Sequence, residues 1–139
     1  MIVAGGSLIE DAASDKMSQI LFADDDEFNF MLIQKLITSH NSYNCTGFYN
    51  GKDLFNEFSN NRSYDLIILD IQMPVMDGIE CLEKIRTIDK KIPVLALTAF
   101  ALKNDEQKFL NMGFSDYISK PINSELLFKK MKRHIDQGE

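Results

Sequence analysis

Short apolar runs along this chain alternate with longer stretches in which apolar residues recur three or four positions apart. The first pattern predicts strands and the second helices. Gln19–Ala23 reads as a strand, and Glu27–Ser39, with Leu32, Ile33, Leu36 and Ile37 in step, as a helix. Tyr43–Tyr49 is a second strand, ended by the turn signal Asn50-Gly51, and Leu54, Phe55 and Phe58 mark a short helix. Asp65–Asp70 is apolar on both faces, which suits the centre of a parallel sheet. Ile79, Leu82 and Ile85 place a helix over Gly78–Ile88, and Ile92–Thr98 is a fourth buried strand. Ala99–Met112 reads as a helix with Gly113 at its C-terminal cap, and Ser115–Ser119 as a fifth strand. Asn123 caps a last helix, with Glu125 early and Lys129, Lys130, Lys132 and Arg133 late, the order that the helix dipole favours. Five strands alternating with five helices predict an α/β fold, a parallel sheet covered on both faces.

Residues 1–17 lack sustained periodicity and read as an N-terminal extension, a linker or an expression-derived leader, leaving 18–139 as the domain. The chain of 139 residues has room for one core. Its net charge of −6 argues against direct contact with nucleic acid. No apolar run approaches the roughly 20 residues that span a bilayer, so no membrane contact is expected of this domain. Cys45 and Cys81 lack CxxC spacing and read as small buried hydrophobes. His40 and His134 stand singly near polar helix ends and read as surface residues.

Parallel α/β sheets bind ligands beyond the carboxyl ends of their strands. Here those ends carry Asp24 and Asp25, then Asp70, then Thr98, and finally Lys120 beside Pro121. Taken singly, each has a plain structural reading. Acids at 24–27 suit a helix start, with Asp26 as N-cap; Asp70 could form a turn, and Lys120 could be a solvated charge. Together they set three carboxylates, a hydroxyl and an ammonium on one rim. Such an oxygen-rich set suits Mg²⁺, which keeps several of its waters and offsets the crowded negative charge.

Four segments carry a family resemblance: "ILFADDDEFN", "DLIILDIQMPVMDG", "IPVLALTAFA" and "GFSDYISKPI". In this order and spacing they resemble the receiver domains of two-component response regulators, over about residues 18–136, and most of all those of hybrid sensor histidine kinases. The resemblance implies a flavodoxin-like sheet of order 2-1-3-4-5. It also implies that Asp70 accepts a phosphoryl group from a phosphohistidine. Asp25, Asp70 and the backbone carbonyl of Gln72 would bind Mg²⁺, with Asp24 helping through water. Lys120 and Thr98 would meet phosphoryl oxygens. Tyr117 would be the aromatic switch, turning inward as Thr98 moves, and the Lys120–Pro121 bond would be cis. Gln72 and Phe100 occupy places where side chains govern water access, and the expected phosphoryl lifetime is minutes or longer.

The implied partner is a histidine kinase or histidine phosphotransfer domain, with Phe28, Phe30 and Met31 as an apolar docking surface beside the acids. The domain is expected to be cytoplasmic, alone or within a membrane-anchored hybrid kinase, and a monomer or weak phosphorylation-dependent dimer. It is expected to be a signalling domain, not a turnover enzyme. Two other readings remain open. "FADDDEF" contains the DxD of haloacid-dehalogenase-type phosphatases, with Asp24 as nucleophile, although Phe28 and the absence of an acidic pair after Lys120 depart from that pattern. A phosphorylation-independent interaction module is the third class.

Overall fold

The computed structural model describes residues 17–99 and 105–137. Strands β1 (Ser18–Ala23), β2 (Tyr43–Phe48), β3 (Leu66–Asp70), β4 (Val94–Thr98) and β5 (Asp116–Ser119) alternate with helices α1 (Glu27–Thr38), α2 (Gly51–Asn60), α3 (Gly78–Ile88), α4 (Asp105–Met112) and α5 (Ser124–Gln137). All strand pairs are parallel, in the order β2-β1-β3-β4-β5. β3 and β4 are buried along their whole length, which accounts for their unbroken apolar sequences.

The two-residue period of the strands divides the core into two layers. Ile20, Phe22, Leu66, Ile68, Leu95 and Leu97 pack with Ile33 and Ile37 of α1 and Leu127, Met131 and Ile135 of α5. On the other face, Leu21, Ala23, Ile67, Leu69, Val94 and Ala96 meet Leu54 and Phe58 of α2, Leu82 and Ile85 of α3, and Phe109 of α4. The chain leaves β1 for β2 on one side and returns as β3 on the other, with Ala23 in register with Leu69. The residues that follow these two positions, Asp24 and Asp70, are therefore neighbours at the point where strand order reverses.

Caps fix where the helices begin. Asp26 accepts from the Phe28 amide at 2.9 Å and Asp77 from the Glu80 amide at 2.9 Å. Asn50 does the same for Asp53 at 2.8 Å, so the Asn50-Gly51 turn signal is in fact the start of α2. Asn123 accepts from the Leu126 amide at 3.0 Å, and Gly113 closes α4 with φ of 112°. β4 starts at Val94, later than Ile92, because Pro93 has no amide hydrogen and the Ile92 amide is taken by Asp89 at 2.9 Å. The early part of the helix expected over Ala99–Met112 lies outside the described residues, apart from Ala99, which is a bend. Phe100 and the extension preceding Met17 lie outside them as well.

Candidate functional site

The ends of β1, β3, β4 and β5 deliver five polar groups to the same rim: Asp24 and Asp25, Asp70, Thr98 and Lys120. Asp24 is fully buried, Asp70 and Thr98 are each 5% exposed, and Asp25 points into solvent. Ligand oxygens of Asp24, Asp25 and Asp70 lie within 4.8 Å of one another. Lys120 reaches across from the end of β5, its Nζ 3.1 Å from Asp70 Oδ2 and 3.2 Å from Asp24 Oδ2. The Lys120 amide bonds the Thr98 carbonyl at 2.8 Å, which ties the end of β5 to β4, and the following Lys120–Pro121 bond is cis.

The remaining oxygens are held by backbone. Asp24 Oδ1 accepts from the Asp26 amide at 2.9 Å, and Asp70 Oδ1 from the Gln72 amide at 3.2 Å. Asp24 Oδ2 is buried next to the Lys120 ammonium but lacks hydrogen-bond geometry. Asp25, Asp70, Gln72, Thr98 and Lys120 line one open cleft, together with Asp77, Lys108 and Phe109. Asp24 is not part of that wall.

Burial, and then the charge of Asp24, push the Asp70 carboxyl up to about 7, against the opposing pull of Lys120 and the Gln72 amide. Burial alone would lower Lys120, but Asp24 and Asp70 outweigh it and raise that ammonium. Two neighbouring buried acids with one ammonium between them retain excess negative charge. An all-oxygen donor set with one ligand open to solvent fits a hard divalent cation that keeps part of its water shell. The residues present therefore fit Mg²⁺.

The model of the response regulator receiver domain matches residues 20–132. The chain belongs to this family. Hybrid signal transduction histidine kinase I of Dictyostelium discoideum is 39% identical over 91% of the chain, which spans 8% of that kinase. Among solved structures, the receiver domain of a sensor histidine kinase from Pseudomonas aeruginosa PAO1, with a magnesium ion coordinated in its active site cleft, aligns with a TM-score of 0.78. It is 30% identical, and the match covers 86% of this chain and 98% of that one. A chain of the CheX–CheY–BeF3–Mg complex of Borrelia burgdorferi aligns with a TM-score of 0.80 at 25% identity, covering 88% and 92%. The protein is thus a receiver domain with an acidic Asp24/Asp25/Asp70 pocket for Mg²⁺-dependent aspartyl phosphorylation in two-component signalling. It is a signalling domain and not a turnover enzyme. No helix among the described residues is long and apolar enough to cross a membrane.

The proposed docking trio needs correction. Phe28 is 73% and Met31 59% exposed, but Phe30 is 8% exposed and belongs to the core. Its ring stacks on Tyr49 at 4.2 Å and meets Phe22 at 4.9 Å. The reason is helical phase, since Phe30 lies three and seven residues before Ile33 and Ile37 on one face. His134 also differs from the surface reading. It is 14% exposed, with Nε2 2.9 Å from Asp116 Oδ2.

The receiver also contains a second charge cluster that the sequence reading did not assemble. Asp116 of β5 meets Lys130 at 3.0 Å as well as His134, and Arg133 stands at 3.5 Å. Lys130 and His134 are four apart on α5, beside the buried stripe of Leu127, Met131 and Ile135. That spacing was the available signal. Burial raises the Asp116 carboxyl, but hydrogen bonds from His134, Lys130 and the Tyr117 amide outweigh it and hold it below the usual range.

Proposed function

We propose that Asp70 is the phosphoacceptor and that a protein phosphohistidine is the donor. A carboxylate oxygen of Asp70 attacks phosphorus, the P–N bond breaks as the P–O bond forms, and the imidazole leaves with the electron pair. The observation that carries this reading is that Asp70 lines the cleft between Asp25 and Lys120, its Oδ2 3.1 Å from the Lys120 ammonium. Phosphoryl transfer depends chiefly on positioning and charge stabilisation, so a carboxylate suffices as nucleophile when the donor is labile.

Asp25, Asp70 and the Gln72 carbonyl would hold Mg²⁺, with Asp24 acting through water. Bound there, the ion would neutralise charge on the incoming phosphoryl oxygens. Lys120 would exchange its Asp70 contact for a phosphoryl oxygen, and Thr98, at the cleft wall, would donate its hydroxyl. Tyr117 is the aromatic switch that follows Thr98. Phe28 and Met31 supply the apolar contact for the histidine-bearing partner, with Phe30 supporting them from the core. The partner is a histidine kinase or phosphotransfer domain, and residues 18–139 act as one receiver unit within a longer relay.

Asp24 as nucleophile is the poorer reading. Its Oδ1 is held by the Asp26 amide and its Oδ2 is buried against Lys120, whereas Asp70 lines the open cleft. Incubation with Mg²⁺ and a small phosphodonor tests the choice by intact mass. Wild type gains one phosphoryl group, while Asp70→Asn and the wild type in chelator gain none. Phosphorylation of Asp70→Asn to the wild-type extent would overturn the assignment.

A further inference from the structure

Lys130 is committed to residue 117 from several sides at once. Its Nζ donates to the Tyr117 carbonyl, sits 4.6 Å from the centre of the Tyr117 ring, and pairs with Asp116 Oδ1 at 3.0 Å. An ammonium has three protons. Two can go to these oxygens while the ammonium also lies over the ring, in a site where the Lys130 side chain is only 13% exposed. The same Asp116 Oδ1 accepts from the Tyr117 amide at 2.8 Å, and its Oδ2 is held by His134 at 2.9 Å. The backbone of residue 117 and the ammonium over its ring are therefore both held by one partly buried carboxylate. The ring itself rests 5.8 Å from Phe109 of α4 and is not part of the cleft wall.

We propose that Lys130 is a positioning residue for Tyr117, holding the ring in the orientation seen here and so opposing the switched state. The proposal rests on Tyr117 being the aromatic switch. When the ring turns inward, the two oxygen contacts of Lys130 can persist, because they involve the carbonyl and Asp116. The ring contact cannot. Lys130 thus discriminates between the two ring positions through the cation–π contact alone. A partly desolvated contact of this kind shifts a two-state population by a factor of about three to ten. Because ligands that favour the switched state must first overcome this bias, phosphoryl binding is weakened by the same factor. The clamp sets how readily the receiver responds, without touching the reacting atoms.

The test uses beryllofluoride with Mg²⁺ as phosphoryl analogue and the full chain. Affinity is measured for wild type, Lys130→Met and Lys130→Gln, each also in a Tyr117→Ala background, with thermal melts to establish folding. Both Lys130 variants should bind the analogue about three- to tenfold more tightly when Tyr117 is present and equally tightly when it is not. Lys130→Arg, which keeps a cation over the ring, should stay near wild type. Mere loss of a positive charge would weaken binding of an anion, the opposite sign. Unchanged or weaker binding by the folded variants overturns the clamp, and so does an equal gain in the Tyr117→Ala background. Tyr117→Trp separates this from failure of the switch itself, because the chain has no other tryptophan. Emission that does not respond to the analogue refutes the switching ring and the clamp with it. Emission that responds while Lys130 variants bind like wild type refutes the clamp alone.

Discussion

Burial, and then the charge of Asp24, hold the Asp70 carboxyl well above the ordinary carboxylate range. Its folded pKa lies above the unfolded value of 3.8, at about 7. In chelator, the unfolded chain therefore ionises this group first as pH rises, and stability falls between those two values and stays low above them. Asp70→Asn should remove that loss and stabilise the protein in chelator at pH 8 by about 1–3 kcal/mol; denaturant melts at pH 5 and pH 8 measure it. A gap between wild type and variant that does not widen with pH would count against the burial argument. Val75 offers a second test. It has φ of 69° inside a tight turn closed by the Met76 amide on the Pro74 carbonyl at 2.7 Å, and it is 76% exposed. A β-branched residue is strained there, so Val75→Gly should stabilise by about 1 kcal/mol in a denaturant melt. The individual acids were legible in the sequence because each ends a strand. The pairing of Lys120 with Asp24 was not, since it depends on how far β5 lies from β1 across the rim.

Elements carry these residues to their places, and the loop from β3 to α3 does so under tight steric limits. A Cβ at Gly78 would lie 2.3 Å from the Asp70 carbonyl oxygen, and the Gly78 amide bonds Ile71 at 3.0 Å. Backbone must move to admit any side chain. Gly78→Ala should therefore destabilise by about 2 kcal/mol or more, and it should weaken Mg²⁺ binding because Asp70 and Gln72 shift with the loop. Calorimetric titration with Mg²⁺ checks the second effect, and unchanged affinity would show that the loop tolerates the displacement. At β5 and α5, the depressed Asp116 carboxyl contributes stability that is complete above 3.8 and lost as pH falls through its lower folded value. Asp116→Asn should cost about 1–3 kcal/mol at pH 7, and melts should show the difference from wild type shrinking in strong acid. Element types and order were legible from periodicity, because buried parallel strands and amphipathic helices differ so plainly in pattern. Helix phase was less so. The apolar stripe of α1 was read through Leu32, Ile33, Leu36 and Ile37; Ile33 and Ile37 are fully buried, but Leu32 and Leu36 are half-buried and Phe30 joins the buried face in their stead.

For the whole molecule, topology is what turns scattered residues into a site. Parallel pairing in the order β2-β1-β3-β4-β5 brings positions 24, 70, 98 and 120 to one rim, although up to about a hundred residues separate them in sequence. The alternation of elements implied a parallel sheet, but strand order came from family resemblance, since periodicity says nothing about which strands are neighbours. Mg²⁺ should stabilise the folded chain by mass action, about 2.7 kcal/mol at a hundredfold excess over its Kd. A thermal scan should show a rise of several degrees for wild type and little or none for Asp25→Asn. The most direct measurement locates the phosphoryl group itself. After reaction with Mg²⁺ and a small phosphodonor, borohydride reduces an aspartyl phosphate to homoserine, and peptide mass spectrometry reads its position. Homoserine is expected at position 70 and nowhere else; homoserine at position 24, or none in protein shown by intact mass to carry a phosphoryl group, would contradict Asp70 as the acceptor.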